Sequence, residues 1–274
     1  MKRKKLNYVQ SLDRGLKVLQ AFTAERPLLS LSEIARSTGM NVTATQRFTD
    51  TLLQLGFLLR NRHREFMLGP KVLNLGFAFL NGSQLKKLAE TYIAEFSATH
   101  GCTANLAVLD GDAVVFLYRH EAKRFLQYDL QAGSRLPSYC TATGKVLLAS
   151  LADPLLDHTL QGMNMESLTR YTITDPASLR EDLMEIRRRG YSICDREMSL
   201  ALFSLAVPVL NQEATVIAAV NLSLSADERK SKKELAGEQL TMLGRSLSEA
   251  LGYEGPYPVI PLKNLDKDDF LIHS

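Results

Sequence analysis

The chain has 274 residues, 45% of them hydrophobic, and a formal net charge of only +3, so it is long enough for two domains but too balanced overall to imply a nucleic-acid partner. It carries no signal-peptide pattern and no apolar run of about eighteen residues, so no membrane partner is expected and a soluble cytoplasmic protein is. Cys102, Cys140 and Cys194 lie far apart without a CxxC pair, and five scattered histidines lack ligand spacing, so neither a disulfide, a metal nor a cofactor is expected.

In chain order, Leu12, Leu16, Leu19 and Phe22 recur at helical spacing and predict a helix from about Val9 to Ala24, stopped by Pro27. The stretch from Ser30 to Phe57 then reads as two short amphipathic helices around a tight turn, a helix-turn-helix. Leu31, Ile34 and Ala35 form the buried side of its first helix, which starts at a Ser30-to-Glu33 capping box and ends at Thr38-Gly39. In the second, Phe48, Leu52 and Leu55 point inward, so Thr43, Gln46, Arg47 and Asp50 turn outward. Next, apolar residues alternate on either side of Arg60-Asn61-Arg62-His63-Arg64, the pattern of a hairpin wing with a basic tip.

Charge is distributed to match. Residues 1–71 hold 13 Lys or Arg against 5 Asp or Glu, net +8, leaving net −5 for the rest. A basic winged helix of this kind binds double-stranded operator DNA with steep salt dependence; a solvated basic face is the alternative. The expected DNA contacts are Thr43, Ala44 and Gln46 near base edges, Arg47, Arg62 and Arg64 on phosphates, and His63 within the wing tip. Lys2-Arg3-Lys4-Lys5 is either an arm reaching a neighbouring groove or a solubilising tail, and Arg14 and Lys17 are either backbone contacts or surface charges.

These elements define a DNA-binding domain over residues 9–69. A linker helix over 70–82 follows, with Val72, Leu75, Phe79 and Leu80 on one side, seeking either a second subunit or the chain's own core; Asn81-Gly82-Ser83 ends it. The larger domain, residues 83–252, starts with a helix at Gln84–His100 and strands at Thr103–Leu109, Val114–Arg119 and Phe125–Leu130, the first two joined at Asp110-Gly111-Asp112. Helices follow at Thr141–Ser150, Pro154–Leu160 and Pro176–Gly190, then strands at Tyr191–Cys194, Leu205–Leu210 and Thr215–Ser223. A last helix is expected at Asp227–Leu251 behind a Ser225-to-Glu228 capping box, and residues 253–274 form a tail. The class is α+β, with helices flanking a largely antiparallel sheet.

Within this domain, Thr141, Ala142 and Thr143 open a helix whose free amides and dipole suit a small carboxylate, although an ordinary capped helix start reads the same. A P-loop is excluded: the position five residues before Gly144 is Tyr139, and Lys145 is followed by Val146. An enzyme using Cys140 or Cys194 as nucleophile would need a base and an orienting group, and no Cys-His spacing suggests one, so the chain is read as a non-enzyme. Arg119 and Arg135 could also pair with a carboxylate, but either is more often a surface or structural arginine, so they are left out of the expected site.

The segments SLDRGLKVLQAF, LSEIAR, AGSRLPSYCTATGKVLLA, IRRRGYSICDREMS, LAVPV and VIAAVNLS together resemble the signatures of the IclR family of bacterial transcriptional regulators over roughly residues 9–252. The RLPSYCTATGKVLLA block is similar to the branch of PobR- and PcaR-like regulators of aromatic acid breakdown. The resemblance implies a winged helix-turn-helix, a GAF-like effector-binding domain and assembly as homodimers or homotetramers. It also implies an effector site that adds Cys194, Leu202, Ser204, Asn221 and Ser223 to Thr141, Ala142 and Thr143, with a small organic or aromatic acid switching operator binding or activation. The sign of regulation leans toward activation through that branch. Cys194 and Asn221 depart from the residues common in relatives, which points to a different ligand.

Overall fold

The computed structural model describes residues 8–121 and 130–262. The basic arm Lys2–Lys5, the strand expected at Phe125–Leu130 (save Leu130) and the tail beyond residue 262 lie outside the described residues. The chain falls into two compact units, Met1–Phe79 and Leu80–Ser274.

The first unit contains α1 (Gln10–Gln20), α2 (Leu31–Thr38), α3 (Val42–Gln54) and a hairpin of β1 (Leu58–Arg60) and β2 (Phe66–Leu68). The capping box at α2 is complete: the Ser30 hydroxyl accepts from the Glu33 amide, and the Glu33 carboxylate accepts from the Ser30 amide at 2.8 Å. Gly39 closes α2 with φ of 69°, a left-handed turn that costs glycine little. Asn41 then caps α3 by accepting from the Ala44 amide at 2.8 Å. Val18, Phe22, Leu29, Ile34, Leu52, Leu58 and Phe66 form the core.

Two expectations change. Helix α1 stops at Gln20, well before Pro27, and leaves Leu12 and Leu16 exposed, with Val18 taking the buried position. The buried face of α3 is Thr45, Thr49 and Leu52, while Leu55 lies past the last turn and is exposed. The two threonine hydroxyls bond within the helix, to the Asn41 and Gln46 carbonyls at 2.9 and 3.0 Å, which leaves their methyls free to pack.

Helix α4 (Lys71–Gly82) has no buried residue, and Leu73, Leu75, Phe77 and Phe79 are all exposed. It runs through Asn81 and Gly82, so Ser83 breaks the pattern instead, by capping α5 (Gln84–His100).

The second unit adds β3 (Thr103–Asp110), β4 (Ala113–His120), β5 (Arg135–Pro137), α6 (Ala142–Ala149), α7 (Asp153–Gly162), α8 (Pro176–Arg189), β6 (Ser192–Asp195), β7 (Leu202–Leu210), β8 (Val216–Ser225) and α9 (Arg229–Ala250). Among the described residues its six strands form one antiparallel sheet in the order β5-β4-β3-β8-β7-β6. Side chains alternate across it. On β3, Ala104, Leu106 and Val108 join the core under α5 and α9, while Ala107 joins the core under α6, α7 and α8. The expected capping box at Ser225 is replaced by a turn of 3-10 helix at Ala226–Glu228, because the Ser225 hydroxyl accepts from the Asp227 amide, one residue early. Strand β5, only three residues long, carries no alternation that a sequence reading could register. Beyond α9, Tyr253 and Ile260 pack into the α6 side of the core and the Tyr257 hydroxyl donates to the Pro208 carbonyl at 2.6 Å.

Candidate functional site

On the first unit, Thr43 and Arg47 are exposed on α3 and Ala44 is half-buried at its start. Gln46 is half-buried and donates to Asp50 at 2.6 Å, so its amide is oriented before any partner arrives. The wing tip carries Arg62, His63 and Arg64, all exposed. Its turn is organised by Asn61, whose side-chain oxygen accepts from the His63 and Glu65 amides at 2.9 and 3.0 Å, an Asx turn that fixes the basic tip. Lys17 is paired with Asp13 at 2.9 Å. The expected DNA contacts therefore occupy two surfaces of the unit, the outward side of α3 and the hairpin tip.

In the second unit, the start of α6 is set by short-range packing. The Thr141 hydroxyl donates to the Pro137 carbonyl at 2.9 Å and does not cap the helix, so among the described residues the amides of Ala142, Thr143 and Gly144 have no backbone acceptor. Gly144 passes so close to the preceding strand end that a Cβ would stand 2.2 Å from the Ser138 carbonyl oxygen. Ser138 is itself pinned, its amide and hydroxyl both donating to the Asp112 carbonyl, at 3.0 and 2.6 Å.

Ala142 and Thr143, but not Gly144, line a cavity whose free space for the centre of a water molecule is about 30 Å³, room for about two waters. Its floor is a row of polar side chains on four neighbouring strands in register: Arg119 on β4, Asn105 on β3, Asn221 and Ser223 on β8, and Ser204 on β7. They form one chain of hydrogen bonds. Arg119 donates to Asn105 at 2.8 Å, Asn105 to Asn221 at 2.9 Å, and Asn221 to Ser223 at 3.2 Å, with the Ser223 and Ser204 hydroxyls 3.3 Å apart. Phe116, Leu130, Leu136, Met198 and Leu202 supply apolar walls. The result is an apolar pocket with a few oriented polar groups, the build of a small-ligand site.

All eight residues expected at an effector site line this one cavity: Thr141, Ala142, Thr143, Cys194, Leu202, Ser204, Asn221 and Ser223. Sequence reasoning missed Asn105 and Glu197 and set aside Arg119, which also line it. Arg135 does prove a surface residue, paired with Asp110.

Behind the cavity, Lys145 is 1% exposed and donates to Glu197 at 2.6 Å and Asp182 at 2.8 Å. Burial alone would disfavour the ammonium, but the neighbouring Cys194, Glu197 and Asp182 hold its pKa above the ordinary lysine range. Burial raises the Glu197 carboxyl despite Lys145 beside it. It also lifts the Cys140 thiol to about 12 and the Cys194 thiol well above its usual value.

The IclR helix-turn-helix domain matches residues 11–62, and the bacterial transcriptional regulator IclR C-terminal domain matches residues 77–249. The chain belongs to the IclR family.

Among IclR relatives, the Pca regulon regulatory protein of Pseudomonas putida is 34% identical over 86% of this chain and 81% of its own length. The p-hydroxybenzoate hydroxylase transcriptional activator of Acinetobacter baylyi is 33% identical, over 89% and 91%. A solved transcriptional regulator of Rhodococcus sp. RHA1 superposes with a TM-score of 0.73 at 31% identity, covering 89% of this chain and 98% of that one. Membership makes this IclR protein a DNA-binding transcriptional regulator and not an enzyme. No helix among the described residues is long and apolar enough to cross a membrane.

Proposed function

We propose that this regulator binds a small organic acid, in our reading an aromatic one, in the cavity at the start of α6, and that the bound acid changes how the winged helices engage operator DNA. The observation that carries the reading is convergence: α6, β6, β7 and β8 each bring expected effector residues to one pocket. The carboxylate is met by the free amides and dipole of α6, and the ring or chain by Phe116, Leu136, Met198 and Leu202. Because the cavity has room for only about two waters, the acid displaces half-buried side chains such as Met198 and Leu202 as it enters. A relative named for activating p-hydroxybenzoate hydroxylase supports an aromatic acid as effector.

Residues 9–69 read DNA, 70–82 link, 83–252 bind the effector and 253–274 form the tail, with the whole acting in the cytoplasm. Thr43, Ala44 and Gln46 face base edges, and Arg47, Arg62, His63 and Arg64 face the phosphate backbone. The exposed apolar residues of α4 and of α1, Leu12 and Leu16 among them, are covered by a second subunit in a homodimer, which pairs two winged helices with two half-sites. Dimers pair further into a homotetramer where the operator carries two such sites. The test is a thermal-shift screen of small carboxylic and aromatic acids on the purified protein. A ligand held by the native state raises the melting temperature progressively with concentration; a screen in which no acid does so refutes the proposal.

A further inference from the structure

Of the five acidic residues among the first 71, four are occupied by the fold of the winged helix. Asp13 pairs with Lys17 at 2.9 Å, Glu25 accepts from Thr23, Glu33 completes the α2 capping box, and Glu65 accepts from the Asn61 side chain at 2.8 Å in the wing turn. The fifth, Asp50, is half-buried on α3, and its carboxylate accepts from the Gln46 side-chain amide at 2.6 Å, one helical turn earlier. Its partner is thus a residue expected at base edges.

A carboxylate on a DNA-facing helix repels phosphates and weakens binding unless it has another use there. Its effect on Gln46 follows from its valence. A carboxylate only accepts, so the Gln46 nitrogen turns toward Asp50 and the Gln46 oxygen turns away. The pair fixes which end of the amide is which, a choice that an unpaired glutamine leaves open. One N–H is spent on Asp50; the second N–H and the oxygen remain, a donor beside an acceptor. In the major groove that pattern complements adenine, which offers N7 to the donor and its N6 amino group to the acceptor. Guanine presents two acceptors, N7 and O6, and sets O6 against the fixed glutamine oxygen.

We propose that Gln46 reads one adenine in each operator half-site and that Asp50 is the positioning residue that makes this reading selective against guanine. This rests on the reading of α3 as the helix at base edges, and adds to it the base that is read and the residue that fixes the reader. Released from Asp50, the amide is free to turn its NH2 group toward guanine and donate to N7 and O6, so losing Asp50 relaxes the choice of purine without removing the contact.

The full chain, as wild type, Asp50→Ala and Gln46→Ala, is used to select duplexes from a random pool. Affinities for the wild-type consensus and for each single base-pair change are then measured by fluorescence anisotropy at one salt concentration. Wild type shows one position per half-site where guanine in place of adenine costs about tenfold or more. Asp50→Ala cuts that cost below threefold and keeps the preferences at the other positions. It also binds random duplex more tightly because a repelling charge is gone, which a merely structural loss does not bring about. Gln46→Ala loses the preference at the same position. Thermal unfolding confirms that each variant is folded. Where Asp50→Ala is not, Asp50→Asn replaces it, because an amide that both donates and accepts no longer dictates the Gln46 orientation; if neither folds, the wild-type base at the position altered by Gln46→Ala decides. A preference for adenine over guanine undiminished by loss of Asp50, or a base other than adenine at the position that Gln46→Ala alters, overturns the inference. If Gln46→Ala alters no position, or wild type enriches no consensus, the base-edge reading of α3 itself falls.

Discussion

Replacing Lys145 by methionine removes a charge while keeping most of the side chain's length. The ammonium serves Glu197, which is 8% exposed at its side chain, and Asp182, which is 26% exposed. Stranding a buried carboxylate by deleting its partner costs about 3–5 kcal/mol, whereas a solvent-screened pair is worth about 1 kcal/mol at most. The loss at pH 7 is therefore about 3–5 kcal/mol, nearly all of it through Glu197. The chain has no tryptophan, and eight of its nine tyrosines follow residue 80, so near-ultraviolet circular dichroism in urea follows this unit. The pH dependence has a definite sign. Burial already raises the Glu197 carboxyl, and losing Lys145 raises it further. A carboxyl that holds its proton more tightly folded than unfolded adds stability as pH falls through its folded pKa and loses it as pH rises. The gap between wild type and K145M accordingly narrows as pH falls from 7 toward 5, and adding Glu197→Gln to K145M recovers part of the loss. A gap below about 1 kcal/mol at pH 7, or one that does not move with pH, means that Lys145 does not hold a buried Glu197 carboxylate in place.

Gly144→Ala drives a Cβ into the Ser138 backbone and costs about 1–3 kcal/mol by overpacking, read from the same urea transition, and it weakens binding of any acid that raises the melting temperature. The Arg47/Arg62/Arg64 triple alanine variant lowers the slope of log affinity against log salt on random duplex DNA by about 2–3 for each winged helix engaged, about 5 for a dimer using both, measured by fluorescence anisotropy; an unchanged slope places the phosphate contacts elsewhere. Leu73→Glu with Phe79→Glu on α4 reduces the assembly to monomers by light scattering, and an unchanged mass shows that another surface holds the subunits together.

The winged helix was legible because its signals are local: a capping box, a left-handed glycine stop and a hairpin with a basic tip each act over a few residues. Its inner packing was less so, since Thr45 and Thr49 look polar until their hydroxyls are seen bonded to their own helix. In the second unit the strands and helices follow from alternation and caps, but β5 is too short to alternate. The cavity floor is a different case. Asn105 sits between Ala104 and Leu106 in an apolar strand, a polar intrusion visible in the sequence, yet only strand register places Arg119 and Asn221 on either side of it. Lys145 and Glu197 are 52 residues apart, and no local pattern marks either as buried.

Filling the cavity is expected to alter DNA binding. The direct measurement is the affinity of the protein for a duplex selected from a random pool, with and without a saturating acid that has raised the melting temperature. Coupling between two sites typically amounts to about 1–3 kcal/mol, so the affinity is expected to change about 5- to 150-fold. An affinity that stays the same with the cavity occupied means that the cavity and the winged helices are not coupled.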